Sequence, residues 1–393
     1  MSAVLPVYSR CDLQFERGEG IYLYGDDGKK YIDFAAGIAV NSLGHAHPHV
    51  VEEMTDQISK LLHVSNLYKI DGLEKLASRL ADNTFADKIF FCNSGAEAVE
   101  CGLKMIRKYH FEKGNENKYR VITFEGSFHG RTMATISAAK KDKVMRGFEP
   151  ALDGFDQVPF GDLEAVKNIV SDRTAGILIE PILGEGGILP AEKEFLQGLR
   201  KICDENDILL FFDEIQCGMG RTGTLYAYEV FGVEPDILSS AKGLGNGFPI
   251  GACLANDKAA SGMTAGSHGS TYGNNPLAMR VGNAVLDIIL EDGFLENVKE
   301  TGDYFISELN KIKDDTYPQN EVGFIEEVRG MGLMIGVKIK GDSREFVSKL
   351  REKGLLTVAA ADNVVRILPP LIITKKDVDE AIVILKNAIE EER

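Results

Sequence analysis

Residues 235–251, PDILSSAKGLGNGFPIG, decide how the chain is read. A short apolar run of strand character ends at Lys242, and Gly243, Gly245 and Gly247 alternate behind it, so little side-chain bulk flanks the lysine. Lysines normally stay at the surface, because burying an unpaired ammonium is costly or drives its pKa down. Two readings follow: a solvated lysine on a flexible loop, or an amine at the floor of a pocket that can attack a carbonyl and form a Schiff base. Lys242 alone leaves both open, and its distant partners decide between them.

Outward from this stretch, apolar runs of strand length alternate with helical patterns. The runs are KIFFC (88–92), RVITF (120–124), GILIE (176–180), ILLFF (208–212), DIL (236–238) and ACLA (252–255). Between them, Ala96–Phe111 and Glu192–Glu205 carry apolar residues at helical spacing. This rhythm predicts an α/β fold with a mostly parallel sheet covered by helices, whose ligands bind beyond the carboxyl ends of the strands. A further helix is expected from Asn275-Pro276 to about Leu290. After it the rhythm changes: strands are expected at Glu327–Gly332, Leu333–Lys340 and Val364–Leu368, and helices at Ser343–Lys353 and Thr374–Glu391, the last opened by a Thr374/Asp377 capping box. The expected division is 1–58 as an N-terminal segment contributing to a small domain, 59–300 as a large domain, and 301–393 as a small α+β domain. Within the first, Gly25-Asp26-Asp27-Gly28 between alternating segments signals a hairpin.

Composition narrows the classes. A net charge of −16 over 393 residues argues against a sequence-independent grip on nucleic acid. The six cysteines fall singly, without a C-x-x-C pair, as buried thiols of a reducing compartment do. No apolar leader or membrane-length run is seen, so a cytoplasmic location is expected. His45, His47 and His49 alternate, but no carboxylate or cysteine joins them in sequence and Pro48 interrupts, so loop packing is favoured over a metal.

Three segments sit just past strand ends. Asn93-Ser94-Gly95-Ala96-Glu97 opens a helix whose free N–H groups suit a phosphate, although Ser94 and Glu97 also have capping-box spacing. Asp213 leaves an all-apolar run, where a carboxylate needs a cationic or hydrogen-bonding partner; a Mg²⁺–nucleotide role would want a G-x-x-x-x-G-K-[ST] loop, which is absent. Phe128-His129-Gly130-Arg131 offers a ring for stacking and a guanidinium for a carboxylate, against a plain core phenylalanine and a surface ion pair. Together these pieces ask for a planar, phosphate-bearing nitrogen heterocycle that condenses with a lysine, which is the chemistry of pyridoxal phosphate (PLP).

The ordered set NSGAEA, FHGRT, GEGG, FFDEIQCGMGRTG, AKGLGNGFPIGA and HGSTYGNNPLA resembles the class III, ornithine-type aminotransferases of PLP fold type I, and within them the acetylornithine aminotransferases. The resemblance implies that Lys242 forms the Schiff base and shuttles the proton, and that Asp213 pairs with the ring nitrogen. It further assigns Gln216 to the ring hydroxyl, Phe128 to the ring face, and Gly95 and Ala96 to the phosphate. Thr271 would reach the cofactor of a second subunit, with Ser270 near the substrate, so a homodimer is implied. Arg131 would hold the α-carboxylate of acetylornithine and Arg366 that of glutamate or 2-oxoglutarate. Glu185 would pair with Arg366 while the longer amino donor is bound. Gly37 stands where ornithine aminotransferases carry a tyrosine, which favours an acylated α-nitrogen. Alternatives are succinylornithine, ornithine or 4-aminobutyrate as donor, a PLP decarboxylase, racemase or aminomutase, and a non-enzymatic PLP-binding regulator.

Overall fold

The computed structural model describes residues 3–315 and 323–392. Seven strands form the main sheet: β1 (Lys88–Cys92), β2 (Arg120–Phe124), β3 (Phe155–Val158), β4 (Thr174–Ile179), β5 (Leu209–Asp213), β6 (Ile237–Ser240) and β7 (Gly251–Ala255). Their order is β3-β2-β4-β5-β6-β7-β1. All neighbours are parallel except β7, which runs against both β6 and β1. The carboxyl ends of β1, β2, β4, β5 and β6 therefore share one edge, where β7 begins.

The central strands β4 and β5 are buried throughout, which is why they read as unbroken apolar runs. β3 escaped the sequence reading because it is an edge strand whose interior is Asp156-Gln157. Asp156 there takes the Arg120 guanidinium through two bonds of 2.6 and 2.7 Å, a polar pairing that an edge strand tolerates.

One face of the sheet is covered by a core that includes Val99, Ile106, Phe211 and Cys253, and two larger cores organise the rest of the packing. The larger lies on the other face and includes Phe124, Leu210, Phe212 and Leu238, with Leu43 and Val50 from the N-terminal part. Another gathers Ile21, Ile32 and Phe34 with Phe305, Ile335, Ile367 and Leu385. The hairpin signal corresponds to antiparallel strands Tyr22–Gly25 and Lys30–Asp33, and Ile32 pairs with Leu355 far along the chain. Strands Ile325–Met331, Met334–Ile339 and Val364–Ile367 form the expected antiparallel group. Helix Lys375–Glu390 opens with the Thr374/Asp377 capping box, both of its bonds formed. Helix Phe294–Asp315 has no counterpart in the sequence reading. His45 and His49 are bonded to Asp33 and Asp287, at 2.8 and 3.0 Å.

Arg221 ties the two larger cores. It is fully buried, and one guanidinium nitrogen donates to the carbonyls of Leu333, at 3.1 Å, and Pro369. Burial lowers it to about 9, so its charge is held against a large desolvation cost. Arg221→Met leaves two buried carbonyls without a donor, and a urea melt is expected to show a loss of about 2–4 kcal/mol. An unchanged midpoint would contradict this role.

Candidate active site

The edge where the five strands end opens on a cavity of about 300 Å³, at the lower end of the usual range for ligand pockets. Gly95, Ala96, Phe128, Asp213, Gln216 and Lys242, six residues spread over nearly 150 positions, all line it. Ser239 of β6 lies opposite Asp213 of β5, and this register brings the lysine turn beside the aspartate.

Lys242 opens a 3-10 turn directly after β6, with φ at +45° in the left-handed region. A Cβ on Gly243 would lie 2.5 Å from the Ser42 hydroxyl, so the following residue has to be glycine for the turn to seat. Burial, with Arg366 nearby, lowers the Lys242 amine to about 8, while Glu185, Glu180 and Asp213 oppose the fall. Below pH 8 the amine is charged and unreactive; above it a free amine is available. Labelling of Lys242 by a small acylating reagent, followed by peptide mass, is expected to rise through pH 8 and level off by about pH 9.5. A rise delayed to the ordinary lysine range would contradict the burial argument.

Asp213 is fixed by three donors. His129 Nδ1 lies 2.7 Å from Oδ2, and Oδ1 accepts from the Ser239 hydroxyl at 3.1 Å and the Ile215 N–H at 3.2 Å. A carboxylate so close to Nδ1 places the imidazole proton there. His129 Nε2 is buried and, among the described residues, has no hydrogen-bond partner.

Glu180, just past β4, accepts the Phe128 N–H at 2.7 Å and the Gly184 N–H at 3.1 Å. It thereby holds the loop bearing Phe128 and the loop bearing Glu185 in one frame. Burial pushes its carboxyl up to about 7. The sequence reading gave Glu180 no role, yet it follows an apolar run just as Asp213 does, and the same signal would have found it. Glu214, by contrast, serves the fold: it turns away and accepts the Ala227 and Tyr228 N–H groups at a helix start.

At the phosphate-suited end, Ser94 caps helix Gly95–Glu112 by accepting the Glu97 N–H, and Glu97 returns bonds to Asn93. Capping is thus present without occupying the first N–H groups of the helix. A Cβ on Gly95 would lie 2.6 Å from the tip of the Ile215 side chain, so glycine lets Ile215, itself a lining residue, pack closely on the helix start.

The substrate-side residues divide. Arg366 is buried, donates to Glu185 Oε1 at 2.7 Å and reaches Gln216 Oε1 at 3.2 Å, which couples the ion pair to the cavity wall. Arg131 is exposed, its guanidinium 5.6 Å from the centre of the Phe128 ring. Ser270 accepts from Asn93 at 3.1 Å, and Asn93 lines the cavity. Thr271 is exposed and outside the lining of its own chain's cavity. Gly37 has φ +64° within a run from Ala36 to Ala39 that is left-handed throughout. A side chain there would be strained by about 1–2 kcal/mol, so this glycine has a backbone reason independent of any substrate.

A buried lysine with a lowered pKa, a firmly held carboxylate and a helix start around one cavity define a transferase of PLP fold type I. The chain belongs to the aminotransferase class-III family, whose model matches residues 6–389. It is 57% identical to the acetylornithine aminotransferase of Agrobacterium fabrum, over 95% of this chain and 93% of that protein. Among solved structures it is similar to the N-acetylornithine aminotransferase of Stenotrophomonas maltophilia K279a, with a TM-score of 0.85, 36% identity, and 98% and 97% of the two chains covered. The ornithine aminotransferase of Toxoplasma gondii ME49 superposes with a TM-score of 0.94 at 30% identity, covering 100% and 94%. Backbone shape therefore does not separate the two donor specificities.

Proposed function

We propose that this chain is a PLP-dependent aminotransferase that moves the δ-amino group of N2-acetyl-L-ornithine to 2-oxoglutarate. The products are N-acetylglutamate 5-semialdehyde and L-glutamate, a step of arginine biosynthesis. The observation that carries the reading is the meeting of Lys242 and Asp213 on one cavity, whose lining residue Gln216 accepts from Arg366 of the Glu185–Arg366 pair. The donor assignment draws its support from the acetylornithine aminotransferase at 57% identity.

The residues present fit the cofactor. Gly95 and Ala96 line the cavity at the start of a helix, Asp213 lines it with its carboxylate held in place, and Lys242 is desolvated. Pyridoxal phosphate, when bound, supplies an aldehyde that takes up the amino group and a ring that draws electrons from the carbon losing its proton. Gly95 and Ala96 would hold the phosphate by their N–H groups. Asp213, braced by His129 and Ser239, would keep the ring nitrogen protonated, Gln216 would bond the ring hydroxyl, and Phe128 would cover the ring face. Lys242 Nζ would hold the aldehyde and serve as the base that moves the proton at the substrate carbon. Arg131 binds the carboxylate at the far end of the donor. Arg366 binds the α-carboxylate of the acceptor, and Glu185 neutralises Arg366 while the donor is bound.

The same reading takes the active unit to be a cytoplasmic homodimer, with Thr271 reaching the phosphate in the partner subunit and Ser270 near the substrate. Among the described residues no helix is long and apolar enough to cross a membrane. The division into 1–58, 59–300 and 301–393 belongs to this proposal. An initial-rate panel of acetylornithine, succinylornithine, ornithine and 4-aminobutyrate against 2-oxoglutarate tests it. Acetylornithine is expected to give the highest kcat/KM, and a clear preference for free ornithine would refute the donor assignment. Turnover without stoichiometric consumption of 2-oxoglutarate would refute transamination.

A further inference from the structure

If Arg366 is to take a carboxylate from the acceptor, Glu185, which already matches its charge at 2.7 Å, has to give way. Glu185 is about a third exposed, and a carboxylate leaving a guanidinium there is stabilised further by a second counter-charge within reach. Lys141 stands where that charge is required. It follows helix Met133–Ala139, which begins two residues beyond Arg131. The end of this helix is fastened back to the exit of β2: the Thr123 hydroxyl donates to the Ala138 carbonyl at 2.8 Å, and Gln157 Nε2 donates to the carbonyls of Ala139 at 2.7 Å and Phe124 at 3.5 Å.

The loop bearing Glu185 packs on the same exit, since a Cβ on Gly126 would meet Leu183 at 3.3 Å and Gly186 at 4.0 Å. Lys140 turns with φ +43° and sends its own amine away to the Phe155 carbonyl, at 2.9 Å. Lys141 is half-buried, and the charges that act on its amine are Glu180, Glu185, Arg131 and Arg366. Among the described residues its amine has no hydrogen-bond or ion-pair partner.

We infer that Lys141 is the alternate partner of Glu185: the carboxylate pairs with Arg366 while the amino donor is bound and swings to Lys141 when the dicarboxylate acceptor claims Arg366. This rests on the reading of Arg366 and Glu185 under the proposed function. Lys141 is then a positioning residue, acting through Glu185 and touching neither substrate. Burial lowers its amine from the ordinary value while Glu180 and Glu185 oppose that fall, so an arriving carboxylate stabilises the charged form it pairs with.

Stopped-flow absorbance of the bound cofactor separates the half-reactions, acetylornithine alone reporting the first and 2-oxoglutarate on aminated enzyme the second. Lys141→Gln is expected to raise the half-saturating 2-oxoglutarate concentration about tenfold, the scale of one partly buried ion pair, and to leave the donor half within about twofold. Binding of glutarate, a non-reacting dicarboxylate, should weaken in parallel, and Lys141→Arg should restore both. In a Glu185→Gln background, Lys141→Gln is expected to add nothing. Equal losses in both halves would make Lys141 a direct substrate contact and overturn the inference. An effect undiminished in the Glu185→Gln background would also overturn it. A wild-type enzyme that fails to use 2-oxoglutarate would instead remove the reading beneath it.

Discussion

Lys242→Ala is expected to lower turnover by about 10⁴-fold or more, because one amine both anchors the cofactor and moves the proton. The visible absorbance of the bound cofactor should shift at the same time. The size of the effect follows from the surroundings. Lys242 is the cavity-lining amine, set by a left-handed turn that depends on Gly243 beneath it. No water can replace it, since a water neither holds an aldehyde covalently nor has a basicity lowered to about 8. Lys242→Arg is expected to be equally inactive, because a guanidinium stays protonated. Either variant turning over within tenfold of wild type would contradict the assignment.

Asp213→Asn is expected to cost about 10²–10³-fold in kcat, comparable to removing one preorganised charge contact from a transition state. The substitution is isosteric, so packing against His129 and Ser239 survives. At least one of the three donors then meets an amide N–H in place of a carboxylate oxygen, and the negative charge at this position is gone. KM for either substrate should change less than kcat, because Asp213 is bonded to His129, Ser239 and Ile215 and makes no bond to the Glu185–Arg366 pair. A loss confined to KM, with kcat intact, would place Asp213 outside the chemistry.

Much of this site could be read from the chain because chemistry here sits at strand ends. Asp213 and the Asn93–Glu97 segment each follow an apolar run, and parallel topology brings such ends to one edge whatever their separation in sequence. Contacts set by packing were not legible. His129 looked like one member of an aromatic and basic cluster, and only the fold shows it braced against Asp213. Lys141 carries no local signal, since the charges that act on it come from three separate segments. β3 lacks the apolar run because an edge strand buries less, and helix Phe294–Asp315 lies where the alternation of strands and helices has already stopped. Gly37, read for substrate choice, also lies in a left-handed run that Ala36, Ile38 and Ala39 share, a feature of the backbone that the sequence did not show.

Borohydride reduction of the protein loaded with pyridoxal phosphate, followed by peptide mapping, asks most directly whether residues 93–96, 213 and 242 build one site. A single pyridoxyl group on the peptide containing Lys242, lost in Lys242→Ala and reduced in yield in Asp213→Asn, is the predicted result. Labelling at another lysine, or spread over several, would contradict it.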